Sequence, residues 1–279
     1  MPVNDALGKR MKEYYETVPK LKLMRKCPVI LRIDGRHFHS VTRGLKRPFD
    51  EILAETMKDT MRYLCENVQG CVLGYTQSDE ISLLLIDYQN IDTSAWFDYE
   101  VQKLCSISAG MATLAFNKAF EKRAEEYIDS VIALQDTDIL EEKNYIITLR
   151  KIINKGAMFD SRCFNIPKEE VTNYFYWRQI DATRNSIQML GQANFSHKEL
   201  QNKSSSNIQD MLMLEKGINW NNCPTWQKRG SCCIKVEYGY DTINEGFHNV
   251  AFRKKWTIDN EIPIFRNEGR EYIEDLVNV

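Results

Sequence analysis

The sequence has little of what a metal-stapled, disulfide-stapled or membrane protein needs. It has only four histidines, and its 8 cysteines include no Cys-x-x-Cys pair, so we expect no zinc site and reduced thiols in a core. No apolar run approaches the ~20 residues that cross a bilayer. Residues 1–12 are polar and mixed in charge, unlike a secretory signal. The composition therefore predicts a globular cytoplasmic protein with no membrane partner.

The charge of the chain is unevenly distributed. The net charge is only -2, yet Lys and Arg predominate in residues 1–47 and acidic residues predominate in residues 48–147. A basic segment followed by an acidic one suggests a polyanionic partner next to a metal-binding region. For the acidic block by itself, solvated charged helices are the better explanation.

Hydrophobic periodicity in the first part of the chain predicts the order strand, helix, strand, strand, helix, strand. The predicted strands are residues 28–33, 71–75, 81–86 and 158–166, and the predicted helices are residues 49–68 and 99–127. This order is the split βαββαβ arrangement of ferredoxin-like α+β folds. In this arrangement the first strand lies inside the sheet and pairs antiparallel with the third.

The remaining segments have weaker patterns. We predict a basic helix over residues 4–18, an irregular stretch over 129–157, a helix over 167–190, one or two short helices over 196–214, a loop over 217–230, and strands over 231–240 and 255–265 that form a late hairpin or extension. Trp177 is predicted to be core, and packing is favoured over base stacking for Trp220 and Trp226.

Carboxylates lie at the ends of two strands that this topology makes neighbours. Asp34 ends the first predicted strand, and the Ser78-Asp79-Glu80 turn leads into the third. The antiparallel pairing therefore brings these side chains to one edge of the sheet. Mg²⁺ takes oxygen ligands, usually one or two carboxylates plus substrate phosphates. Two such ions ~3.5–4 Å apart can stabilise both the attacking and the leaving oxygen of phosphoryl transfer.

Basic side chains follow the first carboxylate directly. Arg36, His37 and His39 could face a triphosphate, and further cations extend this edge at Arg43, Lys46 and Arg47. Gly35 allows the backbone to approach closely, and its carbonyl is a further possible ligand. On spacing alone, however, a structural turn is favoured over metal chemistry, and the two histidines are more often packing or surface residues.

Five stretches, in order, resemble a known family. They are Leu31-Arg-Ile-Asp-Gly-Arg-His-Phe-His39, Tyr75-Thr-Gln-Ser-Asp-Glu-Ile-Ser82, Phe159-Asp-Ser-Arg162, Tyr176-Trp-Arg-Gln-Ile-Asp181, and the late loop of Gly217-Ile-Asn-Trp-Asn-Asn222 with Lys228-Arg-Gly230. This set is similar to that of tRNA-His guanylyltransferase and the tRNA-His guanylyltransferase-like proteins. The resemblance covers about residues 7–235.

The resemblance implies a polymerase-palm-like antiparallel sheet with flanking helices and a C-terminal extension. It implies a nucleotidyltransferase that extends the 5′ end of a tRNA in the 3′–5′ direction. ATP or GTP first activates the 5′-phosphate, and the 3′-hydroxyl of an incoming nucleoside triphosphate then attacks it. Residues 1–140 would form the catalytic palm core. Residues 141–279 would supply the remaining palm strand and the regions that bind tRNA and hold an oligomer, commonly a homotetramer.

The resemblance also implies which residues act. Catalysis falls on Asp34, Asp79 and Glu80, and two Mg²⁺ ions fall on Asp34, the Gly35 carbonyl and Asp79. The implied nucleotide-binding residues are Asp34, Gly35, Arg36, His37, Phe38, His39, Arg47, Ser78 and Asp79. The candidate tRNA-binding residues are Arg162, Arg178, Arg184, Asn185, Lys228 and Arg229.

One departure bears on the substrate. Thr183 stands where the eukaryotic enzymes have a histidine after the Trp-Arg-Gln-x-Asp stretch, so the chain is more similar to the archaeal and bacterial guanylyltransferase-like proteins. Template-dependent repair of 5′-truncated tRNA is therefore expected beside, or instead of, addition of G-1 to tRNA-His. Two alternatives stay open: a palm-fold nucleotide cyclase and a non-catalytic tRNA-binding relative.

Overall fold

A single antiparallel sheet of six strands organises the protein. The computed structural model describes residues 5–133, 139–244 and 247–278. The strands are β1 (Val29–Gly35), β2 (Cys71–Gln77), β3 (Glu80–Leu85), β4 (Phe159–Asn165), β5 (Ser231–Asn244) and β6 (Phe247–Asp259). They lie in the order β4-β1-β3-β2-β5-β6. The first four strands have the predicted ferredoxin-like order, and the late hairpin β5–β6 extends the sheet along β2.

The helices connect and cover these strands. They are α1 (Ala6–Met11), α2 (Phe38–Val41), α3 (Glu51–Asn67), α4 (Val101–Ala133), α5 (Ile139–Lys155), α6 (Lys168–Asn194), α7 (His197–Leu200), α8 (Ser205–Lys216), α9 (Thr225–Arg229) and α10 (Glu271–Val277). Asp50 begins α3 because its side chain accepts a hydrogen bond from the Leu53 amide. Together with the sheet they confirm the predicted palm-like α+β class.

Each face of the sheet is covered by a separate apolar core. Strand β1 alternates its side chains, so Leu31 and Ile33 join the core formed with α3, α4 and α5. Ile30 points to the other face, where it packs in a cluster with Phe175 of α6 and Ile273 of α10. Because β1 is covered on both faces and paired on both edges, the carboxylate at its end is held on a rigid element.

The irregular stretch predicted over residues 129–157 is wrong where the structure describes it. Helix α4 continues to Ala133 and α5 fills residues 139–155, while residues 134–138 lie outside the described residues. Among the side chains of α5 that the structure describes, residues 142–155, the buried ones are Tyr145, Leu149 and Ile152, which recur every three to four residues. Charged residues between them hide this narrow apolar stripe in the sequence.

Two further predictions need correction in the C-terminal part. Residues 217–230 are not wholly a loop, because a 3₁₀ turn at Trp220–Asn222 and helix α9 lie within them. Strand β6 ends at Asp259, so the end of the strand predicted over 255–265 is wrong. Ile262 and Phe265 instead pack as loop residues in the core beside α6. Their apolar character comes from this burial and not from strand pairing.

The N-terminal segment is helical but packs little. Helix α1 continues into a π-helical turn at Lys12–Glu16, and residue 4 of the predicted helix lies outside the described residues.

Trp177 is 51% exposed, so the prediction that it is core is wrong. Trp220 does pack, since its Nε1 donates to Ser186 Oγ at 3.0 Å. Four of the eight cysteines, Cys65, Cys71, Cys232 and Cys233, are buried as predicted, and the other four are only partly buried. No described helix is long and apolar enough to cross a membrane.

Candidate active site

Pairing between β1 and β3 brings the predicted carboxylates together. Asp34 lies opposite Glu80 in the register of these strands. The Gly35 amide donates to the Asp79 carbonyl at 3.1 Å, which ties the end of β1 to the turn. Ser78 adopts a positive φ of 51°, so the β2–β3 turn is tight. The convergence predicted from strand order is therefore confirmed.

The two carboxylates at this edge share an unfavourable electrostatic environment. Burial raises the pKa of Asp79, and the nearby negative charge of Asp34 raises it further. The Ser78 hydroxyl donates to Asp79 Oδ1 at 3.1 Å, and Arg162 Nη2 lies 4.0 Å from Asp34 Oδ2. Neither contact is a close ion pair. Two like charges held together without a close counter-ion favour a bound cation.

A cleft of about 830 Å³ opens directly over this pair. Asp34, Gly35 and Ser78-Asp79 form one wall, and the chain after β1 forms the other. The cations and potential cations that line it are His37, His39, Arg43, Lys46 and Arg47. Of the predicted nucleotide-binding residues, only Arg36 does not line the cleft; its side chain is exposed. The arrangement suits a polyanion bound next to a carboxylate-held cation.

Gly35 is required by packing as well as by the site. A Cβ built on Gly35 would lie 2.2 Å from Cδ2 of Phe38. The Phe38 ring is 4% exposed and packs between Phe116 and Phe159, with ring centroids 5.3 and 5.2 Å away. Phe38 therefore supports the floor of the cleft from below. The sequence pattern gave no indication of this close approach.

Glu80 occupies a different environment from its neighbour Asp79. Its side chain is 5% exposed and forms two ion pairs, with Arg32 Nη2 at 2.6 Å and with Arg178 Nη1 at 3.0 Å. Arg178 also reaches Asp181 at 3.4 Å. Glu80 does not line the cleft. Its catalytic role stays a prediction, and its geometry shows a carboxylate that anchors the turn to α6.

The candidate tRNA-binding residues differ in how far they are exposed. Arg178 is buried in the pair with Glu80, which argues against the direct RNA contact predicted for it. Arg184 is exposed, and the Arg162 side chain is half exposed and lies 3.1 Å from Asp160. Lys228 and Arg229 are half-buried, and Lys228 Nζ donates to the Asn221 carbonyl at 2.6 Å. For the remaining residues, contact with RNA stays a prediction.

The residues that surround Lys46, on the basic side of the cleft, were not predicted from the sequence. Lys46 Nζ lies 4.9 Å from the ring centroid of Tyr127 and 4.6 Å from that of Tyr145. The Tyr145 hydroxyl donates to Asp50 Oδ2 at 2.6 Å, and the Lys46 amide donates to the same oxygen at 3.0 Å. Tyr145 lies on α5, in the segment predicted to be irregular. Only its spacing from Leu149 and Ile152 signalled a helix there.

The carboxylate pair suits a Mg²⁺ ion, which needs few protein ligands. It suits a metal ion coordinated only by side chains less well. Among the described residues, no group of three or more His, Cys, Asp or Glu side chains lies close enough to hold a metal ion. Asp34, Asp79 and the Gly35 carbonyl nevertheless supply hard oxygen donors, and Mg²⁺ completes such a partial set with water and phosphate oxygens. The donor set therefore fits the predicted ion.

Comparison with known proteins identifies the class of this molecule. A model of the tRNAHis guanylyltransferase family matches residues 8–167, more than half of the chain. Fold and match together define a palm-like nucleotidyltransferase. The chain belongs to the tRNAHis guanylyltransferase family, which confirms the family predicted from its motifs.

Solved structures show the same similarity over nearly the whole chain. A bacterial tRNA(His) guanylyltransferase-like protein in complex with ATP is 42% identical with a TM-score of 0.78, and covers 98% of this chain and 99% of its own. A second structure of this kind, in complex with GTP, is 38% identical with a TM-score of 0.73, and covers 99% and 100%. This similarity agrees with the prediction from Thr183 that the chain is more similar to the archaeal and bacterial guanylyltransferase-like proteins.

Curated relatives are more distant. An uncharacterised protein of Acanthamoeba polyphaga mimivirus is 27% identical over 265 residues, which is 90% of this chain and 84% of that protein. The tRNA(His) guanylyltransferase of Debaryomyces hansenii is 24% identical over 232 residues, which is 78% of this chain and 76% of that enzyme.

Proposed function

We propose that the protein adds nucleotides to the 5′ end of tRNA in the 3′–5′ direction, after ATP or GTP has activated the 5′-phosphate. The observation that carries this proposal is the Asp34–Asp79 pair at the edge of a cationic cleft of about 830 Å³. Support also comes from the family match and from relatives whose structures hold ATP and GTP. A nucleoside triphosphate has the charge, size and phosphate oxygens that this cleft suits.

The residues of the site have different roles in this proposal. Asp34, Asp79 and the Gly35 carbonyl would hold two Mg²⁺ ions together with the phosphates, and bound ions would supply charge stabilisation for phosphoryl transfer. His37, His39 and Arg47 orient the triphosphate from the opposite wall. Glu80 keeps the turn in place through its ion pairs with Arg32 and Arg178.

The substrate in this proposal is a tRNA 5′ end in general. Thr183 replaces the histidine of the eukaryotic enzymes, and the structures in the comparison are bacterial guanylyltransferase-like proteins. Template-dependent repair of 5′-truncated tRNA is therefore included with G-1 addition to tRNA-His. A cytoplasmic location stays a prediction from composition.

The proposal also includes a homotetramer. Along the N-terminal segment, seven large apolar side chains are more than 40% exposed in the single chain: Leu7, Met11, Tyr14, Tyr15, Val18, Leu21 and Met24. Large apolar side chains exposed at this density along one segment are typical of a surface that is covered by another molecule. Analytical ultracentrifugation measures the assembly directly, and a sedimenting monomer at micromolar concentration contradicts this part of the proposal.

One assay tests the proposed activity. The protein is incubated with Mg²⁺, labelled nucleoside triphosphates and a 5′-truncated tRNA, and we expect label in the tRNA. Asp79→Ala should abolish incorporation because it removes one carboxylate of the pair. Asp129→Ala, an exposed carboxylate on α4, is the matched control and should retain full activity. Wild-type incorporation by Asp79→Ala contradicts the metal assignment.

The same assay separates the alternatives. A cyclic nucleotide formed without RNA identifies a cyclase, and tRNA binding without turnover identifies a non-catalytic relative. Comparison of full-length tRNA-His with 5′-truncated tRNAs then measures how far the enzyme prefers either substrate.

A further inference from the structure

A second pocket lies behind the triphosphate cleft and is continuous with it. Helix α3, the end of β2, helix α6 and helix α9 enclose a cavity of about 100 Å³. The two spaces share four lining residues: Asp50, Leu53, Ser78 and Met189. A cavity of ~10–15 Å³ by this measure already holds one water. The pocket is therefore large for a water site, and it opens beside the triphosphate.

The walls of this pocket are largely apolar and include aromatic rings. Met57 and Met189 line it together with Phe49 and Trp226, whose ring centroids are 6.2 Å apart. Lys58 Nζ lies 4.6 Å from the centroid of the Trp226 ring and forms an ion pair with Glu55 Oε1 at 2.7 Å, so its charge is balanced within the protein. A flat, uncharged ring system with polar edges suits such walls.

Most polar side chains in these walls already have partners inside the protein. The Thr76 hydroxyl donates to the Glu80 carbonyl at 2.9 Å, and the Ser186 hydroxyl accepts from Trp220. The Ser231 hydroxyl donates to Asn260 Oδ1 at 2.8 Å. Asp50 caps α3 and accepts from Tyr145. These groups maintain the architecture and are not available for a ligand.

Three amide side chains are the exception. Gln77, Asn185 and Gln227 line the pocket, and within the described part of the chain none of these side chains makes a hydrogen bond to another residue. Gln77 is nonetheless only 8% exposed. Each amide offers both a donor and an acceptor. The amide atoms of these three side chains are not enclosed in the protein, so they are open to the pocket and can pair with a ligand that has donors and acceptors along its edge.

We propose that this pocket binds a nucleobase, with its ring against Phe49 and Trp226 and its edge on the amides of Gln77, Asn185 and Gln227. The inference rests on the proposed function, since the base must belong to a nucleotide whose phosphates reach the adjoining cleft. That nucleotide is either the free nucleoside triphosphate or the 5′-terminal nucleotide of the RNA. The two sources present the same chemistry to the pocket.

The test measures binding of two fluorescent probes that carry the same base. One is 2-aminopurine riboside triphosphate, and the other is a 5′-truncated tRNA with 2-aminopurine at its 5′ terminus. Asn185→Leu and Gln77→Leu each remove an amide at nearly constant volume, and Ala54→Phe fills the pocket from α3. Gln188→Leu is the matched control because it lies on α6 and lines neither space. Circular dichroism verifies the fold of each variant.

We expect each pocket variant to bind at least one probe about 10-fold more weakly, while Gln188→Leu binds as wild type does. Loss with the triphosphate probe assigns the base to the free nucleotide, and loss with the RNA probe assigns it to the 5′ terminus. Inorganic tripolyphosphate has no base, so its affinity should not change. Affinities within twofold of wild type for both probes in all three pocket variants overturn the proposal, as does failure of the wild-type protein to bind either probe.

These readouts are independent of the proposed activity. If pocket variants lose a probe but the wild-type protein transfers no nucleotide, the nucleobase pocket stands and the transferase proposal fails. If transfer occurs and the pocket variants bind both probes normally, the transferase proposal stands and the pocket assignment fails.

Discussion

The ion pairs of Glu80 allow a quantitative test of how the Ser78-Asp79 turn is held in place. Glu80 and Arg178 are 5% and 4% exposed, and their charged atoms are 3.0 Å apart. Arg32 forms the second pair to the same oxygen, at 2.6 Å. The perturbation is a double-mutant cycle of Glu80→Gln and Arg178→Met, which removes the interaction from each side while nearly preserving side-chain volume.

The magnitude follows from which charges remain buried. Removal of one partner from a buried ion pair costs ~3–5 kcal/mol. In Arg178→Met, Glu80 keeps Arg32, so we expect a loss near the lower end, about 3 kcal/mol. In Glu80→Gln, two guanidinium groups face a neutral amide, so the loss should lie nearer ~5 kcal/mol. The double variant should lose about 2 kcal/mol less than the sum of the single losses.

Urea unfolding, followed by tryptophan fluorescence at fixed protein concentration, measures these free energies. Arg184→Met is the control because its side chain is an exposed arginine on the same helix, and it should change the free energy of unfolding by less than about 0.5 kcal/mol. If the loss of stability in the double variant equals the sum of the two single losses within about 0.5 kcal/mol, the coupling of α6 to the turn is refuted. An Arg178→Met variant with unchanged stability but weakened tRNA binding supports the RNA contact instead.

Two further perturbations have definite expectations. Gly35→Ala places a Cβ against the Phe38 ring, so we expect a loss of about 1–3 kcal/mol in thermal unfolding and a much lower transfer rate; unchanged values contradict the close approach. Tyr145→Phe removes the hydroxyl that donates to Asp50, at a cost of about 1.5–3 kcal/mol. Burial and then Asp50 raise the pKa of Tyr145, so this contribution is complete below ~pH 10 and is lost as the pH rises above it. Unfolding curves of wild type and Tyr145→Phe should therefore converge in alkali.

The central strands and their carboxylates were predictable because strong local patterns agree with one topology. The β-branched run before Asp34, the helix predicted over residues 49–68 and the hairpin at Ser78-Asp79 fit a single sheet order. Helix α5 was missed because its apolar stripe is narrow and lies among charges. Its burial depends on contacts with α4 and with the chain before α3, which no local window contains.

The environment of Arg178 was not predictable for a related reason. An arginine on a helix is usually a surface residue, and the partner of Arg178, Glu80, is distant in sequence. The three amide side chains of the second pocket were not predictable either, because Gln77, Asn185 and Gln227 lie on three separate elements. Sequence shows which side chains can form hydrogen bonds, but only the fold shows which of them are left without one.

The central position of β1 has a consequence for synthesis on the ribosome. Asp34 is made early, but one edge of its strand is closed only by β4, and both Gly35 and Arg36 depend on later residues for their backbone hydrogen bonds. A nascent chain that ends before Met158 exposes an apolar strand with an open edge, which favours association with other chains. The edge that carries Asp34 and Asp79 is therefore assembled only after more than half of the polypeptide has emerged, and products terminated before Met158 carry the first two family motifs without the strand that closes this edge.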